Sequence, residues 1–90
     1  MSQSMLGGNP IEMQQMASQF TQQAEALQNV SAALDREAAK VGTAWTGDGA
    51  KRFGEAWQQY RTAFQRMTAE LQEASRVINT YRQNIESATQ

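Results

Sequence analysis

Apolar side chains return every seven residues along this chain, in two long stretches separated by a short glycine-rich segment. In the first stretch Met13, Phe20, Leu27, Leu34 and Val41 form one row, and Ala17, Ala24, Ser31, Ala38 and Trp45 form a second, four residues later. In the second stretch the rows are Ala50, Trp57, Phe64, Leu71, Ile78 and Ile85, and, three residues on, Phe53, Tyr60, Met67, Ala74, Tyr81 and Ala88. Alternating steps of three and four keep returning to one face of an α-helix, whereas a strand repeats every two residues. The pattern predicts two helices, over about 10–44 and about 49–88. The small residues of the first arm predict a close approach between them.

The punctuation agrees with this division. Asn9-Pro10 reads as a helix start, with the Asn9 side chain accepting from free N–H groups and Pro10 at the first helical position, so residues 1–9 form a flexible leader. Gly42, Gly47 and Gly49 fall between the arms. The turn is expected at 45–48, with Gly47 supplying positive φ and Thr46 or Asp48 capping the second helix. A connection this short makes the arms fold back on each other, giving an all-α antiparallel helical hairpin over 10–90 whose arms span roughly 50 Å each at ~1.5 Å per residue.

Such a hairpin has more apolar surface than its own seam can cover. Leaving half of it wet would forgo several kcal/mol at about 25 cal/mol per Å2, comparable with the whole stability of a small domain. The expected unit is therefore a dimer that closes into a four-helix bundle, with either a second copy or a different hairpin of matching length. Its expected core comprises Phe20, Leu27, Leu34 and Val41 from the first arm, with Phe53, Trp57, Tyr60, Phe64, Met67, Leu71, Ile78 and Ile85 from the second.

Composition narrows the chemistry. Among 90 residues there is no Cys and no His, so thiol nucleophiles, His-based triads and Cys/His metal sites are excluded. The carboxylates Asp35, Glu37, Glu70 and Glu73 are expected to point away from the seam, where no enclosed site would tune an acid. No catalytic residue, metal or cofactor is expected. A net charge of -1 gives no surplus of base for nucleic acid, and the aromatics are spaced as core, not as a stacking platform for bases. No apolar run approaches the roughly 18 residues of a membrane span, and the start lacks the basic and apolar regions of a cleavable signal peptide. The mixed, Gln-rich polar face predicts no membrane contact.

Trp45-Thr46-Gly47, placed mid-chain between two long Pro-free helices, resembles the WXG-hundred family, the early-secreted-antigen-like proteins exported by bacterial type VII secretion systems. The resemblance covers nearly the whole chain. It implies a non-enzymatic protein made in the cytoplasm, folded as a homodimer or heterodimer with another hairpin of the same kind, and secreted folded without a cleavable signal peptide by a membrane ATPase. It also implies that the motif turn of one subunit lies near the C-terminal end of the other, where both form the surface that the ATPase reads. The motif falls on Trp45 and Gly47. In the family a Tyr followed four residues later by an acid often completes the export signal. Here Tyr81 is followed at that position by Ile85, and the acid arrives one place later as Glu86. Either the partner carries the signal or Tyr81 and Glu86 act as a relaxed form of it. The competing reading is a cytoplasmic coiled-coil adaptor or assembly subunit unconnected with secretion.

Overall fold

In a computed structural model of the protein, which describes residues 7–89, the chain forms two long helices, α1 (Pro10–Ala38) and α2 (Asp48–Thr89). They pack antiparallel into a rod of 67 × 16 × 13 Å. The expected leader lies in part outside the described residues. α1 starts as its sequence predicts: Asn9 Oδ1 accepts from the N–H groups of Ile11 and Glu12 at 3.0 and 3.1 Å, with Pro10 at the first helical position.

α1 stops six residues before the expected end at 44. Beyond Ala38 the bonding tightens from four-residue to three-residue steps, with the N–H groups of Lys40 and Val41 donating to Glu37 and Ala38 oxygens. Gly42 then turns the chain out of the helix at φ +101°. The connection is therefore a folded loop over 39–47. Val41 and Trp45 sit in this loop and not on the helical rows that they extend by spacing alone. Within it Gly42 N–H donates to Trp45 O at 2.8 Å, and the N–H groups of Thr43 and Ala44 both donate to Lys40 O.

Gly47, at φ +100°, leads into α2, where its carbonyl accepts Lys51 N–H at 3.1 Å. The cap position is thus the glycine, and Asp48, expected as a cap, is the first helical residue. A Cβ at Gly47 would meet nothing within 4 Å, so only the backbone demands glycine here. Gly47→Val is expected to lower stability by about 1–2 kcal/mol or more through left-handed strain. D-Alanine introduced at the same position by synthesis should be tolerated. Thermal melts of the two variants that coincide would refute this.

The seam is rotated relative to the pattern of the most apolar residues. Ala17 and Ala24 on α1 are buried against α2, where Ala50, Trp57, Thr68, Ser75 and Ile85 are buried in turn. The 50/57/64/71/78/85 row does face α1. The row beginning at Phe53 does not; its place is taken by Thr68 and Ser75. Small residues allow the close approach, and the hydroxyls need partners when buried. Ser75 Oγ donates to Ala17 O at 2.8 Å, so Thr21 Oγ1, also 2.8 Å away, must be the donor to Ser75.

Candidate functional site

The rotation leaves the hairpin with two unlike flanks. One is polar: a groove bordered by Gln28, Asp35, Arg61, Gln65, Thr68 and Gln72. The other is apolar along its length. Leu34 shares one groove there with Trp57, Tyr60, Ala63, Phe64 and Met67, and toward the open end Met13 borders another with Val77, Ile78 and Tyr81. Of the expected core residues, Trp57 and Ile85 are buried, while Phe20, Leu27, Val41, Phe64, Leu71 and Ile78 are half-buried. Leu34, Phe53, Tyr60 and Met67 are exposed, together with Met16, Val30 and Val77. In a single hairpin these last side chains face solvent on one side of the rod.

The loop closes the turn end of that flank. The Trp45 ring lies 5.7 Å from the Phe53 ring, tilted by 50°. A Cβ at Gly49 would come within 3.3 Å of Trp45 Cζ2, so the missing side chain there makes room for the indole. Leu34, Val41, Trp45, Phe53 and Trp57 border one apolar recess, yet Trp45 remains 48% exposed. The spacing argument that made Trp45 part of a helical row is thereby replaced. It is a loop residue held by its carbonyl and propped by α2.

Next to the recess is a polar cluster that periodicity does not reveal. Asp35, expected to point away from the seam, accepts from Trp57 Nε1 at 2.9 Å and lies 3.6 Å from the Arg61 guanidinium. The buried indole thus has its one donor satisfied across the two helices. The sequence offers no signal for the pairing beyond an acid and a Trp on facing arms. On the solvent side, Arg76 donates to both carboxylate oxygens of Glu73; this hydrogen bonding holds the Glu73 carboxyl below its ordinary range and the guanidinium above its own.

At the open end, Tyr81 is 62% exposed on the apolar flank. Glu86 is bound to Arg82 at 2.9 Å. Five positions turn a helix through about 140°, so Tyr81 and Glu86 are not presented side by side. Among the described residues no helix is long and apolar enough to cross a membrane, and no group of three or more acidic, His or Cys side chains could hold a metal.

Compared with known families, residues 7–90 match the family WXG100, proteins of 100 residues with WXG. No curated protein and no solved structure matches the chain.

Proposed function

The chain belongs to the WXG100 family, and from that membership we propose that it is exported as a folded, dimeric substrate of a type VII secretion system and acts as a secreted protein or co-export partner. Family membership implies secretion by that route and a protein without enzymatic activity. The finer reading is supported by one observation above all: the half-exposed Trp45, held against Phe53 at the end of the rod. An indole buried on one face and open on the other can brace the loop and still offer an edge to a partner. In this reading the membrane ATPase recognises the turn that carries Trp45 and Gly47. Tyr81 and Glu86, turned apart on α2, do not form a joint signal, and the dimer partner is either a second copy or another hairpin of the family.

The test is the culture medium of a bacterial host with an active secretion apparatus. The parent protein is expected there, and Trp45→Ala should lower the secreted fraction at least about tenfold while leaving helix content unchanged, since the ring is half outside. Parent protein that stays wholly inside the cells would overturn the proposal. Equal export of the variant would overturn the role given to Trp45.

A further inference from the structure

We infer that the groove on the polar flank is a binding site for a short, uncharged sugar chain, with Thr68 as its buried hydrogen-bonding floor. This goes beyond the export reading and does not depend on it.

Thr68 holds a hydroxyl that the fold does not use. The residue is 6% exposed in the seam and borders the groove. The other buried hydroxyl, that of Ser75, has an acceptor in Ala17 O and a donor in Thr21. The exposed Thr62 and Thr80 donate to the carbonyls four residues earlier, each at 3.0 Å. Thr68 makes neither kind of bond, nor any other among the described residues. No sealed side-chain oxygen there lacks a partner, so Thr68 Oγ1 opens into the groove. A valine of the same shape would fill this place in the seam without desolvating a hydroxyl.

The two helices bring further free groups to the same place. The contacts of Asp35 with Arg61 and of Thr21 with Ser75 fix the register. Equal steps inward from both set Gln28 level with Thr68 and Ser31 level with Gln65. From Arg61 to Gln72 the lining covers about 16 Å of α2 at ~1.5 Å per residue. The groove holds about 410 Å3, within the range of small-molecule sites, and it has Ala32 and Ala69 at its border, where longer side chains would close it.

The chemistry of the lining selects the ligand. The carboxamides of Gln28, Gln65 and Gln72 and the Ser31 hydroxyl have no partner within the chain, and each both donates and accepts. Sugar hydroxyls have the same double character and replace water at such groups in kind. Asp35 and Arg61 are the charged residues of the lining and offset each other, so an anion gains little there. Phe64, half-buried one turn from Thr68, offers an apolar ring to the C–H face of a sugar. An extended peptide fits less well. Its side chains alternate between two faces and need apolar sockets, whereas Phe64 is the one large apolar residue of the lining. Covering the apolar flank of the rod would leave this groove open.

The test is a titration of the purified, full-length, isotope-labelled chain with maltotriose, cellotriose and N-acetylchitotriose, read by NMR. At least one sugar is expected to shift the side-chain amide signals of Gln28, Gln65 and Gln72 saturably, with a dissociation constant of about 1 mM or tighter. Thr68→Val should weaken that binding about three- to tenfold, the loss of one hydrogen bond, and Gln65→Ala likewise. Thr68→Val is also expected to melt no lower than the parent, because it removes a hydroxyl that nothing in the fold holds. Three sugars that leave the signals unmoved, a Thr68→Val variant that binds as tightly as the parent, or one that melts several degrees lower would each overturn the inference. So would a neutral Gly-Ser peptide that shifts the same signals more strongly than any of the sugars. Every reading is made on purified protein, so a negative result leaves export standing, and failure of export leaves the groove standing.

Discussion

Trp57→Ala is expected to lower stability by about 3–5 kcal/mol, a large part of what a small domain possesses. The ring is 7% exposed, stands 6.4 Å from the Phe64 ring at 51°, and donates to Asp35 across the helix pair. Its removal opens a cavity at the turn end of the seam, and Asp35 loses its donor in the same step. Trp57→Phe separates the contributions, because it keeps most of the packing and deletes the hydrogen bond, for an expected cost of about 1–2 kcal/mol. Urea titrations followed by circular dichroism read both effects. They belong at several protein concentrations, since association raises apparent stability. A Trp57→Ala unfolding free energy within about 1 kcal/mol of the parent's would mean that the indole contributes surface and little else.

Ile85→Ala should cost about 2–5 kcal/mol. Ile85 is the buried apolar residue at the open end, and a Cβ at Gly8 would lie 2.7 Å from its Cδ1, so the chain leading into α1 rests directly on it. The loss should be uneven. Amide exchange is expected to accelerate first over the beginning of α1 and the end of α2, with the Trp57 region protected until global unfolding. Uniform acceleration along both helices would show that the rod melts as one unit and that the open end has no separate closure.

Much of this was legible in the sequence. The seven-residue repeats locate both helices, Asn9-Pro10 locates the first start, and Gly47 marks the entrance to α2. What the repeats could not give was the rotation of α2 about its own axis. Ranking rows by hydrophobicity selects Phe53, Tyr60 and Met67 over Thr68 and Ser75, because the pattern scores transfer to oil and not fit. Against Ala17 and Ala24 the shorter side chains win: they let the backbones approach, and the Ser75 hydroxyl finds an acceptor in the Ala17 carbonyl. Bulky side chains placed on the same line would hold the helices apart. The end of α1 escapes the spacing for a related reason. Spacing carries the rows through Val41 and Trp45 whether or not the backbone remains helical; the four-residue bonding gives way after Ala38, and the positive φ at Gly42 then turns the chain away. The Trp45-Thr46-Gly47 motif was visible, but its support from Phe53 and from the empty side of Gly49 depends on how the loop folds.

That loop has one more consequence. Its hydrogen bonds join residues only a few positions apart, so closing it costs little chain entropy and needs nothing from the distant termini. If the two arms were peeled apart from their free ends, the knuckle around Trp45 would be the last part to come undone. The turn is thus the place where pulling on the arms loosens the molecule least.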